Sequence, residues 1–175
     1  MKKVLIVVDY QNDFVSGSLG FESASAIEQT IVSKINAALE QGVDVIFTRD
    51  THDDSYLSTV EGQKLPVVHC ISGSHGWQVT DVLLPYLEKA VRVFEKPTFG
   101  SLELAEFLHK QAYTSVEIVG LVSHICVLSN AMLAKAALPD AEILVDAAGT
   151  ASYDDALQEK AFDVLEGVHI HVINR

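Results

Sequence analysis

Six short runs of apolar residues, most of them β-branched, recur along the chain. They occupy positions 4–8, 43–48, 90–94, 116–119, 141–145 and 168–173. Continuous apolar runs of this length are typical of strands that are buried on both faces of a parallel sheet. The pattern therefore predicts six strands at the centre of the fold.

The segments between these runs place apolar residues at helical spacing. Helices are predicted from a capping box at Ser25–Glu28 up to Gly42, over 102–111, over 124–137, and from a capping box at Ser152–Asp155 to about residue 165. Strands that alternate with helices predict an α/β fold in which helices cover both faces of a parallel sheet. We expect one domain over residues 1–175.

Residues 53–89 interrupt this alternation. The segment is too long for a simple connection, and it contains several glycines and prolines together with Trp77. We interpret it as an insertion with one or two short helices. Long irregular segments of this kind often carry function.

The composition narrows the class of protein. Of the 175 residues, 49% are hydrophobic, which indicates a folded chain with a substantial core. The formal net charge of −12 argues against nucleic acid and anionic membrane surfaces as partners. Cys70 and Cys126 give no disulfide framework, so we expect a reducing compartment, the cytoplasm. No apolar run approaches the ~20 residues of a membrane-spanning helix.

Polar residues stand at the carboxyl ends of four predicted strands. They are Asp9, Asp50 with His52, Lys96 and Cys126. Each has an ordinary interpretation, as a solvated aspartate, a surface lysine or a buried structural cysteine. In open α/β sheets, however, ligands bind at this edge, where the strand order reverses. Their common position therefore favours a functional site.

A sulfur, a carboxylate and an amine at one sheet edge can perform acyl transfer. Cys126 is predicted in the first turn of the helix after the fourth strand, where the helix dipole makes a thiol ionise more readily. Asp9 is the candidate general base, with a pKa raised by partial burial, and Lys96 is the nearby cation that opposes this rise. The backbone N–H groups of Val122, Ser123 and Cys126 are candidate donors to the oxyanion.

A second group of residues has the composition of a metal site. Asp50 and His52 point to the same side of an extended segment, and His69 follows seventeen residues after His52. Two histidines and a carboxylate with open positions suit zinc, iron or manganese, and Glu61 is a candidate fourth ligand. The alternative is that Asp50 pairs with Arg49 or caps the insertion, while both histidines are exposed.

The chain resembles the isochorismatase-like cysteine hydrolases over essentially its whole length. The resemblance rests on four motifs in this order: VVDYQNDF, TRDTH with a later HC, EKPTFGS and GLVSHICV. It implies a three-layer α/β/α sandwich whose six-stranded parallel sheet has the order 3-2-1-4-5-6. It also implies a catalytic triad of Asp9, Lys96 and Cys126 and a cis peptide bond between Val122 and Ser123.

Within this family, the chain is most similar to the nicotinamidase-like branch. In that branch, residues matching Asp50, His52, His69 and Glu61 hold a divalent metal, here expected to be zinc with iron or manganese as alternatives. A residue matching Phe14 packs on the substrate ring. The implied activity is hydrolysis of a small amide, most of all nicotinamide to nicotinate, through a thioester on the triad cysteine. A homo-oligomer is also implied.

One departure from the branch leaves the substrate open. Many nicotinamidases have an aromatic residue and a proline before the metal-binding His-Cys, whereas this chain has Leu65 and Pro66. Trp77 or Tyr56 are candidates to replace the aromatic residue. An N-carbamoyl or ureido compound is the alternative substrate. Two other interpretations are a phosphoacceptor signalling domain modified at Asp50 and a non-catalytic binding protein of the same fold.

Overall fold

The computed structural model describes residues 2–175, in which six strands form a single sheet. The strands are β1 (Lys3–Val8), β2 (Asp44–Asp50), β3 (Arg92–Lys96), β4 (Ser115–Leu121), β5 (Glu142–Ala151) and β6 (His171–Ile173). Their order is β3-β2-β1-β4-β5-β6, and every neighbouring pair is parallel. The predicted fold class and strand order are confirmed.

Helices cover both faces of this sheet. They are α1 (Asn12–Val15), α2 (Glu22–Ala26), α3 (Glu28–Glu40), α4 (Val60–Lys64), α5 (Leu84–Leu87), α6 (Leu102–Gln111), α7 (Leu128–Ala137) and α8 (Asp155–Gly167). One apolar core lies between the sheet and α6, α7 and α8, and a second lies between the sheet, α2 and α3. The result is the expected three-layer sandwich. Among residues 2–175, no helix has both the length and the apolar character needed to cross a bilayer.

Four strands, β2 to β5, extend beyond the carboxyl ends of their apolar runs. β2 continues to Asp50 and β3 to Lys96, and these two residues pair with each other in the sheet. Their side chains are buried and lie next to each other, so the ladder continues where the apolar pattern stops. β6, in contrast, begins at His171 and not at position 168, because His169 has a left-handed φ of 63° that interrupts the extended chain.

Both predicted capping boxes are wrong. Ser25 lies inside α2, where its hydroxyl donates to the Glu22 carbonyl, so the predicted single helix is divided into α2 and α3. Helix α8 is capped by Asp154, whose carboxylate accepts the Leu157 N–H at 2.9 Å. An aspartate at this position satisfies a free N–H of the first turn directly.

The 53–89 segment contains three short helical elements, α4, α5 and a 3₁₀ turn at Tyr56–Ser58, where one or two were predicted. It is fastened to the sheet by polar residues that follow β1. Gln11 donates to the carbonyls of Asp50 and Trp77 and accepts the Asp50 N–H. Asp13 accepts the Cys70 N–H at 2.7 Å. These bonds position the segment over the carboxyl edge of the sheet.

Candidate active site

Three strand ends bring Asp9, Lys96 and Cys126 together. Asp9 follows β1 with a φ of 46°, Lys96 ends β3, and Cys126 lies in a π-helical turn (Ser123–Val127) between β4 and α7. Gly120 allows this arrangement, because β4 passes so close to β1 that a Cβ there would lie 2.0 Å from the Val8 carbonyl oxygen.

The Lys96 ammonium lies between the other two reactive groups. Its Nζ is 2.6 Å from Asp9 Oδ2 and 3.5 Å from Cys126 Sγ, and it donates to the Thr98 carbonyl at 3.0 Å. The Thr48 hydroxyl donates to the other oxygen of Asp9 at 2.6 Å. The side chains of Asp9, Thr48, Lys96 and Cys126 are all buried, so water screens their charges weakly.

Burial controls the ionisation of this group. It raises the pKa of the Asp9 carboxyl and of the Cys126 thiol above their ordinary values, although the Lys96 charge opposes both shifts. Burial by itself would lower the pKa of Lys96, but the neighbouring negative charges, first that of Asp9, raise it. The helix position was expected to favour the Cys126 thiolate, and burial of the thiol acts in the opposite direction. The carboxyl of Asp9 and the thiol of Cys126 thus share Lys96 as their neighbouring cation.

The turn that carries Cys126 differs from the prediction in two ways. The helix predicted over 124–137 consists of the π-helical turn followed by α7. The cis peptide bond joins Leu121 and Val122, not Val122 and Ser123, because β4 continues to Leu121 and the chain leaves the sheet directly after it. Ser123, at the start of the turn, is buried, and its hydroxyl lies 2.9 Å from that of Thr150.

The four predicted metal ligands form one cluster beside this group. Asp50, His52, Glu61 and His69 each offer a ligand atom, and these atoms all lie within 4.8 Å of one another. Asp50 Oδ2 is 2.9 Å from His52 Nε2 and 3.4 Å from His69 Nε2, and Glu61 Oε1 is 3.9 Å from both nitrogens. The alternative with exposed histidines is excluded, since both residues are buried.

The chemistry of this donor set fits a divalent transition metal. Imidazole nitrogen and carboxylate oxygen are ligands of zinc, iron and manganese. His69 Nδ1 lies 2.8 Å from the Val67 carbonyl oxygen, which directs Nε2 toward the other three ligand atoms. The two hydrogen bonds between Gln11 and the backbone of Asp50 fix that ligand in the same way.

A cavity of about 440 Å³ opens onto both groups. Its wall includes Cys126, Asp50, Glu61 and His69 together with a larger apolar part. The apolar part consists of Phe14, Leu19, Phe21, Leu65, Phe99, Val122, Ile125 and Tyr153. The Phe14 ring meets the His69 ring edge-on with centroids 5.6 Å apart. A mostly apolar pocket with a few convergent polar groups is the usual form of a small-molecule site.

Comparisons with known proteins agree with this arrangement. The model of the isochorismatase domain family matches residues 3–175. The chain belongs to the isochorismatase family. An uncharacterized isochorismatase family protein, PncA of Bacillus subtilis, is 32% identical over 75% of this chain and 78% of its own. The predicted family resemblance is thus confirmed.

Solved structures of similar proteins superpose on nearly the whole chain. The crystal structure of nicotinamidase PncA from Bacillus subtilis has a TM-score of 0.86 and 32% identity, and covers 98% of this chain and 99% of its own. That of pyrazinamidase of Pyrococcus horikoshii in complex with zinc has a TM-score of 0.86 and 25% identity, and covers 100% of both chains.

In this isochorismatase domain, neither of the two predicted candidates takes the place of the aromatic residue that the chain lacks at Leu65. Tyr56 packs behind the metal group, with its ring 4.6 Å from that of His52 and 4.9 Å from that of His69. Trp77 donates to the Thr51 hydroxyl and stacks on a guanidinium outside the cavity. Leu65 itself lines the cavity. The ring pocket therefore has an aliphatic wall at this position.

Sequence reasoning missed the residues that support the reactive groups of this isochorismatase domain. Thr48 holds Asp9, Gln11 holds Asp50, and Asn130 bonds to the carbonyl of Cys126. Gln11 stands inside the VVDYQNDF motif, which was a signal that could have found it. Thr48 is likewise the first residue of the TRDTH motif, whereas Asn130 lies beyond the GLVSHICV motif, in apolar surroundings where no motif distinguishes it. Asp50, the residue a phosphoacceptor domain would modify, is buried against the metal group, which disfavours that interpretation.

Proposed function

We propose that this chain is a cysteine-dependent amidohydrolase that converts nicotinamide to nicotinate. The observation that carries the proposal is the Lys96 ammonium, which bridges the Asp9 carboxylate and the Cys126 sulfur at the wall of an apolar cavity. The family supports it, since solved relatives are named nicotinamidase and pyrazinamidase. We further propose that residues 1–175 act as one catalytic domain in which the 53–89 segment supplies Glu61 and His69.

In the first half-reaction, Asp9 takes the proton of the Cys126 thiol and the sulfur attacks the carboxamide carbon. The C=O bond opens to an oxyanion, for which the backbone N–H groups of Val122, Ser123 and Cys126 are the proposed donors. The oxyanion then re-forms the carbonyl, the C–N bond breaks, and Asp9 gives its proton to the leaving ammonia. A thioester on Cys126 remains.

In the second half-reaction, Asp9 takes a proton from water, and the resulting hydroxide attacks the thioester carbon. The C–S bond breaks, the acid is released, and the proton returns to the Cys126 sulfur. Lys96 keeps its charge throughout, because its pKa is raised. It stabilises whichever of Asp9 and Cys126 is negative at each stage.

The proposed cofactor is a divalent metal, zinc first, with iron or manganese as alternatives. Asp50, His52, His69 and Glu61 would hold it. When bound, such an ion supplies a Lewis acid that can accept the ring nitrogen of a pyridine amide. Zinc is favoured because a related pyrazinamidase was solved in complex with zinc.

The cavity wall favours a neutral amide over an N-carbamoyl amino acid. None of the residues that line it is a lysine or arginine, while Asp50 and Glu61 contribute negative charge. Apart from the proposed metal, a carboxylate-bearing substrate would find no cationic partner among the lining residues and would enter at a desolvation cost. Phe14 and Phe99 instead offer ring faces and edges to a flat aromatic amide.

The test is ammonia release from a panel of amides by the metal-loaded protein. Nicotinamide, benzamide, which lacks the ring nitrogen, and N-carbamoylglycine are compared by kcat/KM. We expect nicotinamide to be the best of the three and benzamide to be poorer mainly through a higher KM. Faster turnover of N-carbamoylglycine would support the alternative substrate class and contradict the nicotinamide assignment.

His52→Ala tests the metal group. We expect the variant to lose most of its bound metal, because loss of an outer-shell partner already weakens metal binding about 10- to 100-fold and loss of a ligand should cost at least as much. Elemental analysis after purification in the presence of zinc gives the metal content. His171→Ala, in the edge strand β6, is the matched control and should keep its metal. Equal metal content in His52→Ala and wild type would remove His52 from the site.

A further inference from the structure

Asn130 is a buried amide whose three hydrogen bonds all reach the backbone near the reactive groups. It is 1% exposed. Its Nδ2 donates to the Cys126 carbonyl at 2.8 Å and to the Phe99 carbonyl at 3.0 Å, and its Oδ1 accepts the Ser101 N–H at 3.0 Å. Both amide protons and the amide oxygen therefore have partners. No other side chain of this size offers two N–H donors together with a carbonyl acceptor.

These bonds connect α7 to the segment 97–101, which we call the lysine loop because it follows Lys96. The loop holds the ammonium through the Thr98 carbonyl. It also lies directly on α7: a Cβ at Gly100 would be 2.7 Å from Leu133 Cδ1. Within residues 2–175, the hydrogen bonds between α7 and the lysine loop all involve Asn130.

We propose that Asn130 is a positioning residue that sets the distance between the Lys96 ammonium and the Cys126 sulfur. The Asn130 amide binds the backbone carbonyl of Cys126. It also binds the lysine loop on both sides of Gly100, at the Phe99 carbonyl and the Ser101 N–H. The 3.5 Å separation of Nζ and Sγ therefore depends on this bridge. The inference rests on the proposed function, since the spacing matters only if Cys126 is the nucleophile.

Two substitutions distinguish the effect of the hydrogen bonds to the lysine loop from the effect of the bond to the Cys126 carbonyl. Asn130→Ala removes all three bonds. Asn130→Ser can still donate to the Cys126 carbonyl four residues earlier, as Ser129 does to the Ile125 carbonyl at 2.7 Å, but it is too short to reach Phe99. If the bridge to the loop is what matters, both variants should behave alike.

We expect both variants to lower kcat by about 10- to 100-fold, because a displacement of reacting groups by ~1 Å has effects of this size. KM should change less than about threefold, since Phe14 and the metal group still hold the amide. Ser129→Ala is the matched control: it removes a side-chain bond to the backbone of the π-helical turn but no bond to the lysine loop, and it keeps the Cβ that faces Gly100. Its kcat should stay at the wild-type value.

A second readout needs no substrate. Iodoacetamide alkylates the thiolate form of cysteine, so the rate at Cys126, followed by peptide mass spectrometry, reports the stabilisation by Lys96. It should fall about as much as kcat in both Asn130 variants, while Ser129→Ala keeps the wild-type rate. Thermal unfolding establishes that each variant is folded, and Asn130→Ser carries the test if Asn130→Ala does not fold.

The outcomes separate the two proposals. A wild-type protein that hydrolyses no amide of the panel contradicts the proposed function, and the alkylation rates still decide whether Asn130 positions Cys126. Wild-type kcat and alkylation in both Asn130 variants would overturn the role of Asn130 and leave the proposed function standing. Full activity in Asn130→Ser alone would also overturn it, because the bond to Cys126 would then suffice without the bridge.

Discussion

Cys126→Ala should lose amide hydrolysis almost completely, with kcat/KM reduced by about 10⁴-fold or more, because Cys126 supplies the only thiol among the described residues that line the cavity. The fold should survive the change. Cys126 is 6% exposed in the core between the sheet and α7, and removal of one sulfur atom from such a site leaves only a small cavity. Steady-state ammonia release and thermal unfolding of the same preparation measure the two effects.

Cys70→Ala is the matched control for this substitution. Cys70 is also buried, but it packs in the other core and does not line the cavity. Burial raises its pKa, and the nearby carboxylates, first that of Asp50, add to the rise, which disfavours the thiolate form of Cys70. This variant should keep its activity. Ammonia release by Cys126→Ala within tenfold of the wild-type rate would remove the nucleophile from the proposed mechanism.

Asp9→Asn should lower kcat by about 10²- to 10⁴-fold, the range expected for loss of a general base. The amide keeps the shape of the side chain but cannot take the Cys126 proton, and it leaves the buried Lys96 without its nearest counter-ion. Breaking a buried ion pair costs about 3–5 kcal/mol in the free energy of unfolding. Both kcat and the unfolding free energy are therefore measured.

Asp146→Asn separates these two losses. Asp146 is fully buried and paired with Lys34, yet it lies away from the cavity. Its substitution should lower stability while kcat stays near the wild-type value. If Asp9→Asn and Asp146→Asn reduce kcat to the same degree, the effect of Asp9 is one of stability and the base is elsewhere.

The pH dependence gives a further check on Asp9. The free base is the carboxylate, so activity is lost as pH falls through the pKa of Asp9. Since burial raises that pKa, the acid limb of kcat/KM should lie above the ordinary carboxyl value of about 4. The residual activity of Asp9→Asn should lack this limb.

The strands and the meeting of the reactive groups could be predicted because they follow from local patterns, whereas the strand order was implied by the family resemblance. Apolar runs define the strands, and the motifs at their carboxyl ends carry Asp9, Lys96 and Cys126 to one edge of the sheet. The metal group was accessible in the same way, through Asp50 and His52 at alternate positions of an extended chain.

The failures concern properties that depend on tertiary surroundings. For Cys126, the helix position that favours the thiolate is visible in the sequence, but the burial that raises the pKa of the thiol is not. Ser25 has the spacing of a capping residue, but the chain turns one residue before α3 and places it inside α2. Asn130 is invisible because its partners, at Phe99 and Ser101, are backbone groups about thirty residues away.

An aldehyde analogue of the substrate tests the joint action of Cys126, Asp9 and Lys96. Pyridine-3-carbaldehyde, labelled with carbon-13 at the aldehyde carbon, should add the Cys126 sulfur and give a hemithioacetal resonance in the wild-type protein and in Cys70→Ala. The resonance should be absent from Cys126→Ala and much weaker in Asp9→Asn. An aldehyde that binds the wild-type protein without forming a bond to Cys126, while nicotinamide is still hydrolysed, would contradict the thioester mechanism.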